Sequence, residues 1–475
     1  MNNEFNYRQL LIPHRFRQTT VNRENDIDEY FSDRSRIIFS SSFRRLQQKA
    51  QVFSLEPNSS VRTRLTHSIE VSDLGRSLAS KISNKLIKSG IIESNMAPII
   101  VAVVENACLL HDIGNPPFGH FGETAIKKWV SKNLKLCADE AGVGYAALEK
   151  YITDFMEFDG NPQGIRTITR LHCELDNYGL NLTYPTILTG IKYVRFPGEE
   201  KDKGIKKKAG YFFSEKELID KLYKDTSIDR SCRYPLAYIM EAADDIAYSL
   251  SDISDGIEKH IITKEGFVHD FETLWSEKNK GISIPVSIPH KDNFKNFSQI
   301  ATKWSNYIID EAVNNYTTYH KEFYSGTAQS LINDDSMGGK ILDVITTVSR
   351  NKLYRSAEAE NIELSGYSTI KGLLDCYGEL LKLPYNKFML FVEDGASPQG
   401  KNVDYEWRLF NRLSRRCVLT YKNQLKKANE SSLEITGNDY EWWLRVHLII
   451  DYISGMTDDY ALSTYQMLKG ININV

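Results

Sequence analysis

Residues 105–123 read ENACLLHDIGNPPFGHFGE, and this stretch sets the terms for the whole chain. Its first part closes an apolar run, APIIVAVVENACLL (97–110), which has the length of a buried helix and carries Glu105 and Asn106 inside it. The run ends on adjacent His111 and Asp112, followed at once by Gly114 and the pair Pro116–Pro117. Neighbouring side chains on a helix point about 100° apart, so a His-Asp pair can turn to one point only where the helix is ending. Proline cannot continue a helix. The breakers therefore free the pair and begin a second wall that carries His120 and Glu123.

Helical patterning continues outward in both directions. Residues 66–88 place Ile69, Leu74, Leu78, Ile82 and Leu86 on one face. Pro235 suits a first helical turn and predicts a helix over 235–257. Residues 366–383, 405–428 and 439–454 also read as helices. Strand patterns are scarce, and ISIPVSIPH (282–290) is the best extended piece. PGEEKDKGIKKKAGY (197–211) holds five lysines and three glycines with little to bury, so it reads as a mobile, solvated basic loop or hairpin. The expectation is an all-α fold with few short strands. A catalytic core with an N-terminal arm would cover 1–260, and a helical extension 261–475. Neither a repeat nor a linker marks that border.

The bulk composition is that of an ordinary soluble globular protein: 475 residues, 41% hydrophobic and 25% charged. A net charge of −3 gives no global pull toward nucleic acid or anionic membrane, so polyanion binding must come from local clusters. The six cysteines are scattered, with no CxxC pair, which argues against a disulfide framework or zinc ribbon and for a reducing cytoplasm. No apolar run reaches the roughly 18 residues of a membrane span.

Metal ligation needs imidazoles and carboxylates that converge from separate elements. His67 lies just inside one predicted helix, His111–Asp112 at the end of another, and Asp244 within a third. Mixed N/O ligation suits Mn²⁺, Fe²⁺ or Co²⁺ better than structural zinc, with Mg²⁺ also allowed. On the third helix Asp244, Tyr248 and Asp252 follow at i, i+4 and i+8, a stripe fit to line a cleft. Arg62 and Arg64 precede His67, and FRRLQQKAQ (43–51) adds Arg44, Arg45, Gln48 and Gln51. Guanidinium forks match phosphate oxygens. Lys192 and the run Lys206–Lys208 add charge, so a metal with many cations points to a polyphosphate substrate. His172 is left between packing and the pocket.

The motifs FRRLQQKAQVF, VRTRLTHSIEV, LLHDIGNPPFGHFGE, DGNPQGIR, LTYPT and EAADDIAYSLSD occur in this order, and through them the chain resembles the bacterial deoxyguanosine triphosphate triphosphohydrolases (dGTPases) of the HD-domain phosphohydrolase superfamily. The likeness is strongest over 30–256; YRSAEAENIELSGYSTIKGLLDCY and RLFNRLSRRCVLTY carry it into the tail. The resemblance implies that His67, His111, Asp112 and Asp244 hold the divalent metal, and that His120 with Glu123 is the catalytic pair. It implies phosphate binding by Arg64, sugar contacts from Tyr248 and Asp252, a nearby Gln51, and substrate-side places for Asn161, Lys192 and Tyr193. Asn161 stands in DGNPQG where the family reads EGNAQ, a local departure. It further implies a homo-oligomer, hexamer or tetramer, with basic residues such as Arg408, Arg412 and Arg415 near a neighbouring pocket, and single-stranded DNA or a nucleotide as effector. The implied reaction takes dGTP, or other dNTPs, to the deoxynucleoside and inorganic triphosphate. Two competitors stand beside it: an HD phosphohydrolase of another nucleotide, such as guanosine polyphosphate, and a nucleotide- or single-strand-DNA-binding regulator without turnover.

Overall fold

The computed structural model describes residues 5–173, 176–286, 297–393, 402–428 and 433–471. The helices that matter for the site are α1 (Arg64–Lys88), α2 (Met96–Leu110), α3 (Gly119–Ala141), α4 (Ala237–Glu258), α5 (Met337–Lys352), α6 (Ala357–Tyr377), α7 (Arg415–Lys426), α8 (Gly437–Ser454) and α9 (Asp458–Leu468). Among the described residues there is no β-sheet, only the isolated bridges Ala50–Thr63 and Arg195–Ala209. The fold is all-α.

Each helix begins for a local reason. At α1, Thr63 accepts from the Thr66 amide and Thr66 reaches back to the Thr63 amide, a reciprocal cap. Ser356 caps α6 by accepting from the Ala359 amide, so that helix starts at Ala357 instead of 366. The helix expected at Pro235 begins at Ala237. The one expected over 405–428 is two pieces, Asp404–Phe410 and α7. Residues 282–286 form no regular element, and the rest of ISIPVSIPH lies outside the described residues.

α1, α2 and α4 pack together as the central layer. The α1–α2 crossing is close because Gly75 has no side chain; a Cβ there would stand 2.5 Å from Cys108 Sγ. Apolar residues then form two large cores. The first joins the N-terminal arm, α1, α2 and α4 to residues 297–353. The second joins α3 and residues 145–158 to α6, α8 and the chain around them. The two cores interleave across residue 260. Ile113 belongs to the first and Phe118 to the second, so the turn between α2 and α3 sits on the seam.

Candidate active site and metal centre

α2 ends at Leu110 with His111 as its flanking residue. The turn that follows is wedged against the Gly160–Arg166 helix: a Cβ on Gly114 would fall 2.0 Å from the Gly164 nitrogen. α3 then opens on two left-handed residues, Phe118 at φ 59° and Gly119 at φ 54°. This compact reversal brings His111, Asp112, Asn115, His120 and Glu123 to the wall of one cavity.

Three of the four expected ligands converge there. The His67 and His111 ring nitrogens and a carboxylate oxygen of Asp244 lie within 4.8 Å of one another. Asp244 Oδ1 is 3.4 Å from His67 Nε2 and 3.5 Å from His111 Nε2. His111 Nδ1 donates to the Cys108 carbonyl at 2.7 Å, which turns Nε2 inward. The Nε2 atoms of both histidines are buried with no hydrogen-bond partner among the described residues. Buried nitrogens left this way beside a carboxylate are the donor set a divalent cation takes, and these residues fit one.

Asp112 stands at the edge of this group, its Oδ1 3.6 Å from His111 Nε2. Both its oxygens are engaged: Arg64 donates to Oδ2 at 2.8 Å and Asn115 Nδ2 to Oδ1 at 2.5 Å. Arg64 thus meets a carboxylate where the sequence suggested only a phosphate. Lys192, expected against substrate, sits 3.4 Å from Asp244 Oδ2 and 3.8 Å from Glu241.

The charges explain one another. Burial works against ionised Asp244, but His111, Lys192 and His67 outweigh it and hold its carboxyl well below the usual range. Burial likewise opposes the charge on Lys192, and Asp244, Asp245 and Glu241 overcome it, raising the ammonium pKa. For Asp112 the burial penalty is overcome by Arg64, His111 and His67, so it too is lowered.

His120 is an exposed side chain whose Nδ1 is 3.1 Å from Glu123 Oε2, while Glu123 Oε1 accepts from the Gly160 amide at 2.8 Å. A buried, anchored carboxylate therefore orients an accessible imidazole.

These groups share a cavity of about 770 Å³. His111, Asp112, Arg64, His120, Glu123, Asp244, Gln51, Asn161, Lys192, Tyr193 and Tyr248 all line it. Asn161 is held by its own neighbour, donating through Nδ2 to Asp159 Oδ1 at 2.6 Å. His67 lies beneath the lining, fully buried. Asp252, expected on the wall, is a layer deeper: Tyr354 donates to its Oδ2, and Tyr248 meets the Tyr354 hydroxyl at 2.5 Å. Since Tyr354 has one proton and gives it to Asp252, Tyr248 is the donor in that second contact. Burial pushes Asp252 up to about 7.

The basic segment 197–211 is not a free loop. Lys208 pairs with Asp159 at 2.6 Å, and Lys207 and Lys208 line the same cavity. Sequence reasoning missed Asn115, Arg350, Tyr354 and Arg355 as lining residues. Asn115 stood inside the central motif, and Tyr354–Arg355 open the tail motif YRSAEAEN, so the signal was present but unused.

A helical frame in which a His, a His-Asp pair and a late Asp meet defines an HD-type phosphohydrolase site. The HD domain family matches residues 64–249, and the phosphohydrolase-associated domain family matches 409–467. The chain is 34% identical to the deoxyguanosinetriphosphate triphosphohydrolase of Cronobacter sakazakii, over 95% of this chain and 96% of that one. It is 35% identical to the proteins of the same name from Salmonella typhi and Salmonella typhimurium, over 95% of each chain. The chain belongs to the deoxyguanosinetriphosphate triphosphohydrolase family.

Proposed function

We propose that the protein hydrolyses dGTP to deoxyguanosine and inorganic triphosphate with a divalent metal held by His67, His111, Asp112 and Asp244. The observation that carries this reading is the meeting of unpartnered imidazole nitrogens and Asp244 beside a cavity that Arg64, Lys192, Lys207 and Lys208 also line. Mn²⁺, Mg²⁺, Co²⁺ or Fe²⁺ would suit the donor set. When bound, the ion would polarise the α-phosphate and lower the pKa of a water.

The chain's own groups do the rest. Arg64, Lys192, Lys207 and Lys208 offset the triphosphate charge in a partly enclosed site, where electrostatic stabilisation is strongest. Water oxygen bonds to the α-phosphorus, the bond to the 5′-oxygen breaks, and that oxygen leaves as a hydroxyl. His120, kept in place by Glu123, delivers the proton. Tyr248 packs on the deoxyribose, where a 2′-hydroxyl would crowd its ring, and Gln51, Asn161 and Tyr193 hold the remaining substrate edge. Asp252 acts on the sugar through Tyr354.

The same reading makes 1–260 the catalytic part and 261–475 a part that completes the pocket, since Arg350, Tyr354 and Arg355 come from it, and builds a hexamer or tetramer. It places the protein in the cytoplasm; among the described residues no helix is long and apolar enough to cross a membrane. Chromatography of the products in ¹⁸O-water tests the reaction. Deoxyguanosine with labelled triphosphate is expected, and dGMP with pyrophosphate would overturn the cleavage site. Running all four dNTPs and guanosine polyphosphates in parallel fixes the base and sugar preference.

A further inference from the structure

Among the described residues the exposed His120 ring has one polar partner, Glu123, so its place against substrate is set by the backbone that carries it. That backbone is under strain. Phe118, two positions earlier, is a non-glycine residue at φ 59°, and Gly119 follows at φ 54°. A bulky residue in the left-handed region persists only where its surroundings hold it there.

What holds Phe118 comes from the far end of the chain. Asp458, the first residue of α9, is buried; its Oδ1 accepts from the Phe118 amide at 3.1 Å and its Oδ2 from the Ala50 amide at 3.0 Å. The Phe118 ring lies against Gly366 of α6, where a Cβ would stand 2.4 Å from Phe118 Cγ. Ala50 and Phe118 line the catalytic cavity, and so do Gln51 and His120 just after them, whereas Asp458 does not. Beside them Lys49 Nζ donates to the Asn115 carbonyl at 2.5 Å and to the Ser454 carbonyl, at the end of α8, at 2.9 Å. The α2–α3 turn and the segment before α1 are thus pinned together by the same C-terminal stretch.

We propose that Asp458 is a positioning residue for the reaction, which holds the His120 turn and the Gln51 segment in register from outside the cavity; the proposal rests on His120 carrying the proton. The residue type is exacting. Two converging N–H groups need two acceptors on one planar group, which a carboxylate supplies and an amide cannot, because one of its ends donates. Gly366 is the second half of the brace, since it leaves the space in which the Phe118 ring rests. The segment that matches the phosphohydrolase-associated family, 409–467, thereby acts on the chemistry without touching substrate. A displacement of His120 by roughly an ångström is enough to slow turnover about 100-fold.

The test compares Asp458→Asn, which keeps the side-chain volume, with Gly366→Ala, which presses on the Phe118 ring and leaves Asp458 in place; if the first fails to fold, the second carries the test. In the full-length protein, hydrogen exchange read by mass spectrometry should quicken over residues 115–123 in both variants, and over 49–53 in Asp458→Asn, while 64–75 keeps wild-type protection. Turnover of dGTP should fall about 10–100-fold in each. The KM should rise only in Asp458→Asn, which also frees the Gln51 segment. In a His120→Ala background the same substitutions should leave the residual kcat unchanged, because the group they misplace is already gone. Equal losses in both backgrounds would mean a general structural defect and overturn the proposal. Wild-type exchange over 115–123, or wild-type kcat in a variant whose turn has loosened, would overturn it too. Full turnover in His120→Ala alone would instead remove the proton carrier, and the exchange over 115–123 would still decide the brace.

Discussion

His120 and Glu123 divide their labour by exposure: the imidazole is open to solvent and the carboxylate behind it is anchored to the Gly160 amide. His120→Ala should therefore lower turnover by roughly 10²–10⁴-fold and leave metal affinity, measured by titration calorimetry, unchanged; full turnover would remove the proton-transfer role. Asp252 makes a different prediction. Burial raises its folded pKa from 3.8 to about 7. Below the unfolded value both states carry the proton and the group costs nothing. As pH climbs from 3.8 to about 7 the unfolded chain ionises first, so folding stability falls, and the penalty is constant above that. In Asp252→Asn the amide oxygen can still accept from Tyr354, without the charge. In EDTA, the melting temperature of this variant relative to wild type should rise across the same interval. A difference that ignores pH would mean the carboxyl is not held protonated.

Between elements, two contacts decide the geometry. α1 and α2 cross where Gly75 meets Cys108, and an added methyl at 2.5 Å from Sγ has nowhere to go. Gly75→Ala should cost about 1–3 kcal/mol in denaturant unfolding, as overpacking does. Part of that cost should vanish when Cys108→Ala is combined with it, because the two changes share one volume. Strictly additive effects would place the clash elsewhere. The second contact joins α4 to the segment between α5 and α6 through Tyr248, Tyr354 and Asp252. Tyr354→Phe leaves a buried carboxylate without its donor and Tyr248 without its acceptor. We expect KM for dGTP to rise more than kcat falls, since the sugar wall loosens while His120 is untouched.

For the molecule as a whole, the site lies on the seam of two apolar cores, with donors from α1, α2 and α4 in the first and the His120 helix α3 in the second. Ligand binding at a seam should stabilise both cores together. Stripping metal with EDTA should abolish turnover and lower the melting temperature, and Mn²⁺ should restore both, adding about 2.7 kcal/mol of folding stability at a hundredfold excess over Kd. His67→Ala should melt at one temperature with or without Mn²⁺. A metal response that survives this change would place the ion elsewhere.

Helix content, the buried α2 and the candidate His, His-Asp and Asp residues were readable along the chain from periodicity and from breakers such as Gly114 and Pro116–Pro117, whereas the approach of His67, His111 and Asp244 to one another is a tertiary fact. The family motifs added His120 and Glu123 as candidates and a sugar-binding expectation for the Tyr248–Asp252 stripe. Folding settled matters that depend on distances between residues far apart in the chain. Arg45 and Arg64 are alike in the sequence, yet one faces a separate cavity and the other holds Asp112. Asp252 keeps its place in the i+4 stripe but is shut behind Tyr354, a residue 102 positions away. Lys208, still partly exposed, pairs with Asp159. Which partner a charge meets is set by packing over long loops, and neither periodicity nor spacing encodes that choice.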